Sequence, residues 1–288
     1  MAKNEIVMRA VNCFAAVAVM IVSVSAAAQD DFALSWKRKP VDGRITGVVS
    51  AGPDNVSDAM GYIDRGRYHS PSGRVYGRKS SVTRAATLMI GAQESMREVK
   101  QVIAFSSEEM VKDGPESALS NWFIDALMES VSEISGKKVD IGFTNFGGIR
   151  VDMPKGDVLL DDILSMFPFR NNLCYLELRG RDVRAILEQM ASSGWQVIGG
   201  VRCVSSRDGR LISAEVDGEP LDDERVYGVA TVSFLLDGGD GYSIARNSLR
   251  LDIFPQVIID AMLPYVKSLT AAGKNIEYSR DGRVVIVD

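Results

Sequence analysis

The sequence predicts an α+β fold, a mixed sheet with flanking helices, and three observations carry that expectation. Helical stripes and strand-like runs are mixed along the chain without a regular βαβ repeat. Two strand candidates, Val201–Ser205 and Leu211–Val216, flank Asp208-Gly209, a strong hairpin signal. Beyond Gly114, apolar residues recur at the spacing of a helix with one buried face.

Taken in order, Gln29 to about His69 is polar and has no clear period, and Ser70–Lys79 reads as a loop. Ser81 to Val99 predicts a helix, with Ala85, Leu88, Met89, Ala92 and Met96 on one stripe. Val102–Phe105 is a short strand candidate. Pro115 and Glu116 open the next helix, where proline costs least and a carboxylate meets the positive end of the helix dipole. Leu119, Trp122, Phe123, Ala126, Leu127 and Ser130 form its stripe.

Val139–Thr144 is a strand that runs straight into Asn145–Arg150. Asp161–Met166 is a short helix ending at Pro168-Phe169, and Leu173–Leu178 a strand. Gly180 precedes a helix carrying Val183, Ile186, Leu187 and Met190. After the Asp208-Gly209 hairpin, Asp217-Gly218 makes a second turn. Val226–Leu235 is a long strand candidate, and a helix at Pro255–Leu269 and a strand at Val284–Val287 follow. Three segments result: residues 1–28, an extension with one helix over 29–100, and a main domain over 101–288.

Residues 1–28 have the layout of a secretory signal peptide. Lys3 and Arg9 give a positive start, Val11–Val24 is apolar, and Ala26-Ala27-Ala28 is a small-residue cleavage site before Gln29. The apolar run is shorter than the roughly 20 residues of a spanning helix, and Cys13 lies too early for a lipoprotein anchor. An uncleaved anchor is the alternative. The expected destination is the periplasm or the exterior, with no membrane attachment after cleavage.

The 288 residues are 46% hydrophobic and 25% charged, which suits a globular chain with a real core. The net charge of −5 supplies no field to gather polyanions, so nucleic acid is not an expected partner. Any anionic ligand must be held by a few placed cations. Cys174 and Cys203, the two cysteines beyond the leader, read equally as a disulfide or as two buried thiols.

Hydrolytic metal sites usually draw on several His and carboxylate ligands, and the chain has one histidine, His69. It lies in a loop-like setting and reads as solvated. No Gly-Lys-Ser/Thr phosphate loop and no Gly-x-Gly-x-x-Gly helix opening occur. No catalytic or metal-ligating residue is therefore expected within these residues.

Several strand-end loops carry ligand-type groups. Gly147-Gly148 lets a backbone turn tightly and a ligand approach closely. Asn145 offers an amide that donates and accepts, and Arg150 a planar fork for phosphate or ribose oxygens. A capped glycine turn with a surface arginine fits the same residues. Phe169 and Phe234, on separate loops, suit a sandwich around a flat base or an ordinary core. Asp240 suits a ribose diol or a local turn hydrogen bond.

Together, Asn145-Phe-Gly-Gly-Ile-Arg150, Pro168-Phe169-Arg170-Asn171 and Phe234-Leu-Leu-Asp-Gly-Gly239-Asp240-Gly-Tyr242 resemble the C-terminal domain of the 5′-nucleotidases, in that order and at similar spacing. Ser117-Ala-Leu-Ser-Asn121-Trp-Phe-Ile-Asp125-Ala126 resembles that domain's first long helix. The resemblance runs from about residue 101 to 288. It implies that Phe169 and Phe234 sandwich a base, Asn145 contacts its edge, Asp240 holds the ribose and Arg150 reaches ribose or phosphate. Gly148, Asn171, Gly239 and Tyr242 complete the implied binding set.

In the full enzymes a metallophosphatase domain supplies two metal ions and the catalytic histidine. No Asp-x-His, Gly-Asn-His-Asp or Gly-His-x-His motif occurs in these residues. The family also often places arginine just before the first long helix, where this chain has Pro115. Arg170, beside Phe169, either compensates or is a surface arginine. The resemblance thus implies a nucleotide-binding component of an extracytoplasmic 5′-nucleotidase. The metallophosphatase half, with two divalent metals, is then a separately encoded subunit. The alternatives are a stand-alone nucleoside- or nucleotide-binding protein without catalysis, and a relic domain kept for structural interaction.

Overall fold

The computed structural model describes residues 55–288, which belong to one compact unit, Ala51–Asp288. The leader segment and residues 29–54 lie outside the described residues. In chain order the helices are α1 (Val56–Met60), α2 (Ser81–Ala92), α3 (Ala118–Ser135), α4 (Leu160–Met166), α5 (Gly180–Ser193) and α6 (Ile258–Ala271). The strands are β1 (Tyr62–Asp64), β2 (Arg67–His69), β3 (Val75–Tyr76), β4 (Val102–Ser106), β5 (Ile141–Thr144), β6 (Gly156–Leu159) and β7 (Asn172–Arg179). They continue with β8 (Val197–Gly199), β9 (Val201–Ser206), β10 (Leu211–Val216), β11 (Glu219–Pro220), β12 (Val226–Val232), β13 (Arg250–Val257) and β14 (Val284–Val287). The fold is α+β with mixed sheets and flanking helices, as the sequence predicts.

A five-stranded sheet in the order β13-β7-β12-β5-β8 carries the core. Its β12–β5 pair is parallel and its other pairs antiparallel. Six of the seven β12 residues are buried, which explains its near-continuous apolar reading. Two polar clamps fasten β12 to β5: Asp140 Oδ2 accepts from the Gly228 N–H at 2.8 Å, and Thr231 Oγ1 donates to the Phe143 carbonyl at 2.9 Å.

Helix α3 covers this sheet because its apolar stripe is wide. Leu119, Trp122, Phe123, Ile124, Ala126, Leu127 and Val131 are all buried. Ser117 caps its start by accepting from the Ser120 N–H at 3.0 Å, and Gly136 ends it in the left-handed region at φ 65°. The helix sits tightly on the sheet: a Cβ added at Gly142 would lie 2.7 Å from Met128 Cγ.

A second sheet, β11-β10-β9-β14, contains the expected hairpin as the antiparallel β9–β10 pair. The chain end is tied back to α3 by an ion pair between buried Arg283 and half-buried Asp125. Arg283 donates to both Asp125 oxygens at 2.6 Å, and Tyr278 Oη donates to the same carboxylate. Cys174 and Cys203 are free and buried, so the thiol alternative holds.

Four expectations need correction. The long helix begins at Ala118, and Pro115 and Glu116 precede it; Glu116 is buried and accepts from Asn121 Nδ2 at 2.7 Å and the Asp281 N–H at 2.8 Å. The last helix starts at Ile258, and Pro255 lies in β13, an edge strand where a missing donor is tolerated. The helix expected over 81–99 ends at Ala92, and its stripe faces outward, with Leu88 75% and Met89 58% exposed. His69 is a strand residue, stacked on Tyr62 with ring centroids 4.7 Å apart.

Where one helix was expected, residues 55–100 hold α1, α2 and a three-stranded sheet, β1-β2-β3. Strand β3 lies inside the stretch that reads as a loop over 70–79. No described helix is long and apolar enough to cross a membrane.

Candidate functional site

Three loops leave the core at the ends of packed elements and bring the sequence-selected residues forward. The first follows β5. Asn145, 5% exposed, precedes a single 3₁₀ turn over Phe146–Gly148, and its carbonyl accepts from the Gly148 N–H at 3.1 Å. A Cβ at Gly148 would stand 3.1 Å from Asn145 Oδ1, and one at Gly147 3.0 Å from Asn145 Nδ2. The two glycines therefore leave room for the amide itself, a requirement beyond turn geometry.

The second loop follows α4. Phe167 packs on Phe123 and Trp122, with centroids 4.5 and 6.3 Å away, and this anchor holds the exit on which Phe169 stands 42% exposed. Arg150 lies over the Phe169 ring at 5.6 Å, and its Nη1 donates to the Gly147 carbonyl at 3.3 Å. A cation over an aromatic face is worth about 0.5–1 kcal/mol at an exposed site. The first two loops are also joined by the Arg150 N–H, which donates to the Met166 carbonyl at 3.0 Å.

The third loop follows β12. Phe234, 41% exposed, lies in a 3₁₀ turn over Ser233–Leu235. The chain then folds back so closely that a Cβ at Gly239 would lie 1.9 Å from the Phe234 carbonyl oxygen. Asp240 sits in the left-handed region at φ 49°, ψ 26°, a conformation aspartate tolerates better than most residues. Its Oδ2 accepts from Asn145 Nδ2 at 2.7 Å, joining residues 95 apart in sequence.

The structure thus gathers Asn145, Gly147, Gly148 and Asp240 in one cluster and Arg150 with Phe169 in an adjoining one, linked through Gly147. Phe234 belongs to the Asp240 loop. Asn171 is half-buried beside β7, its carbonyl accepting from the Ile258 N–H at 3.3 Å. Tyr242 departs from expectation as a ligand group. It is 2% exposed, and its hydroxyl reaches the Gly194 carbonyl and Ser193 Oγ, each at 3.4 Å, so it props the loop from inside. Arg170 has no role that the geometry assigns.

Supporting residues escaped the sequence reading. Gln196 Oε1 accepts from the Phe146 N–H at 3.1 Å, and Lys112 Nζ donates to the Ile149 carbonyl at 2.8 Å. Both brace the first loop from segments that carry no motif. Chemically, the arrangement offers an acceptor carboxylate, an amide, a guanidinium and two exposed aromatic faces. Among the described residues no group of three or more His, Cys, Asp or Glu could hold a metal ion. A dinuclear metal centre does not fit this donor set.

A family model for the 5′-nucleotidase C-terminal domain matches residues 96–247. The chain is 27% identical over 184 residues to the trifunctional nucleotide phosphoesterase protein YfkN of Bacillus subtilis, covering 59% of this chain and 12% of that protein. It is 26% identical over 194 residues to an apyrase of Tabanus yao, with 59% and 34% covered. It is 32% identical over 116 residues to the protein UshA of Salmonella pullorum, with 38% and 21% covered. This chain therefore spans about a third or less of these relatives' lengths.

Among solved structures, a 5′-nucleotidase precursor from Thermus thermophilus superposes with a TM-score of 0.63 and 26% identity, covering 76% of this chain and 45% of that one. The NAD nucleotidase NadN of Haemophilus influenzae shares the fold at a TM-score of 0.55 and 17% identity, with 76% and 47% covered.

Proposed function

The chain belongs to the 5′-nucleotidase C-terminal domain family, and from that membership we propose that it is the nucleotide-binding, substrate-specificity component of an extracytoplasmic 5′-nucleotidase. Phe169 and Phe234 stack on the two faces of the base, and Asn145 meets its edge. Asp240 accepts from the ribose hydroxyls, and Arg150 reaches ribose or phosphate. Gly148 and Gly239 keep the loops close, and Asn171 lies at the margin. The observation that supports this best is the 2.7 Å bond between Asn145 and Asp240, which sets an amide and a carboxylate side by side, with exposed Phe234 on the Asp240 loop and exposed Phe169 under Arg150.

Binding is what these side chains can do. Hydrolysis needs a metallophosphatase half that these residues do not contain, supplied in our reading by a separately encoded subunit with two divalent metals. Residues 1–28 direct the chain out of the cytoplasm, and residues 101–288 form the binding domain.

A second reading, nucleoside capture without catalysis, draws support from the start of α3. Pro115 brings no cation there, and the neighbouring Glu116 carboxylate is buried at 5% exposure. Titration calorimetry with adenosine and AMP separates the two. Tighter AMP binding, with AMP hydrolysis gained on mixing with a two-metal phosphatase subunit, supports the enzyme component. Equal affinities with no gain support capture. Phe234→Ala should weaken either ligand by on the order of 1–3 kcal/mol, the worth of one stacking face. Unchanged binding in that variant would sink the stacking arrangement for both readings.

A further inference from the structure

Two surfaces away from the candidate site are complementary to one another and, among the described residues, unmatched. The first is the outer face of α2. Leu88 and Met89 are 75% and 58% exposed, with Val82 41% exposed near the start of the helix. Their helical spacing makes one continuous apolar stripe. The surrounding segment is strongly basic: residues 62–84 hold Arg65, Arg67, Arg74, Arg78, Lys79 and Arg84 against one acid, Asp64.

The second surface is the cleft between α3 and α6, of about 380 Å³. Ala261, Pro264 and Tyr265 form an apolar floor, and Glu129, Glu133 and Asp260 line its rim. Among the described residues no cation lines it. This charge is part of a wider asymmetry, since residues 101–288 carry 29 acids against 19 cations. A helix with an apolar stripe and a basic N-terminal flank is the shape and charge that this cleft accepts.

We propose that α2 of one chain seats its Leu88–Met89 stripe in the α3–α6 cleft of a second copy, and that the exchange is reciprocal. A single such contact would be heterologous and would propagate. Two related by a twofold axis close into a dimer. Leu88 and Met89 supply the apolar anchor, and the arginines around α2 face the Glu129–Glu133–Asp260 rim. The arrangement leaves Asn145, Phe169, Phe234 and Asp240 untouched, so it stands independently of the nucleotide reading.

Sedimentation velocity on the full chain tests this. The expected result is a dimer at tens of micromolar, weakened at least tenfold by Leu88→Glu and, separately, by Glu129→Lys/Glu133→Lys. All three positions are exposed, and unchanged thermal melts establish that the variants remain folded. Raised salt should weaken the wild-type dimer, because the rim contacts are ionic. A monomeric wild-type chain overturns the proposal. So does a Glu129→Lys/Glu133→Lys variant that stays dimeric, which would mean stripe packing on stripe. A monomer that instead cosediments with vesicles of anionic phospholipid would also overturn it, making α2 a membrane-surface helix.

Discussion

Replacing Asn145 by aspartate sets two carboxylates where the structure has one amide donating to one carboxylate. The donor–acceptor distance is 2.7 Å, and Asn145 is 5% exposed while Asp240 faces solvent. Two unit charges at about 4 Å repel by about 1 kcal/mol at the dielectric of water and about 4 kcal/mol at that of a protein surface. With one partner buried and one exposed, the cost lies between these limits, equivalent to about 1–3 pKa units on the shared proton. Folded Asn145→Asp therefore holds a proton that the unfolded chain has released by about pH 5. A pKa raised in the folded state contributes stability at low pH that is lost as pH rises through it. Relative to wild type, the variant should be nearly neutral at about pH 4 and progressively less stable up to about pH 7. Urea melts at about pH 4, 5.5 and 7 measure this without any ligand. A stability difference that stays constant across those pH values would refute the reasoning, because it would mean that the two side chains do not meet.

Gly239→Ala forces the added Cβ away from the Phe234 carbonyl oxygen, 1.9 Å distant, so the loop must shift by more than an ångström. About 1–3 kcal/mol of stability should be lost, and adenosine affinity should fall at least tenfold by calorimetry, whereas Gly77→Ala, with nothing within 4 Å, should do neither. Arg283→Met removes two bonds of 2.6 Å from the half-buried Asp125 carboxylate, leaving it the Tyr278 hydroxyl, and should cost about 1–3 kcal/mol in urea melts. Asp125→Leu in the same background should recover part of that loss, and no recovery would refute the pairing. Burial pushes the Cys174 and Cys203 thiols up from 9.0 to about 12. The folded chain then keeps protons that the unfolded chain releases, so stability declines as pH rises from about 9 toward 12. The decline should be shallower in Cys174→Ala/Cys203→Ala, and equal slopes would count against buried thiols.

Long periodic segments were legible because burial imposes their period. The α3 stripe from Leu119 to Leu127 is buried as read, and the β9–β10 hairpin announces itself through Asp208-Gly209. Strand β8 is three residues long and β6 four, too short for any period to emerge. Pro255 reads as a helix start because proline suits that position, yet an edge strand spares its missing donor as well. The α2 stripe shows the limit of periodicity most clearly. Spacing reveals that a helix is two-faced, but it cannot say what covers the apolar face.

The candidate site was legible as residue types and not as geometry. Motif order selected Asn145 and Asp240, but nothing in the sequence says that they touch. Their contact depends on β12 lying beside β5, a pairing of strands far apart in the chain. Tyr242 reads as a ligand group from its place at the end of the glycine loop. Its burial is decided by α5 behind it. Gln196 and Lys112 act by bracing backbone, which requires no motif.

The place of β12 in the central sheet has a consequence for synthesis. Strands β5 and β7 share no edge until β12 enters between them. A chain growing from its N-terminus holds Asn145 and Phe169 well before residues 226–232 exist, and Arg150 can already join their two loops. The sheet closes in the middle and late, after the hairpin that precedes β12 is complete. Asp240, eight residues beyond that strand, reaches Asn145 only once the closure is made. A chain truncated before residue 226 therefore lacks the Asn145–Asp240 contact, and the third loop meets the first only after β12 has taken its place.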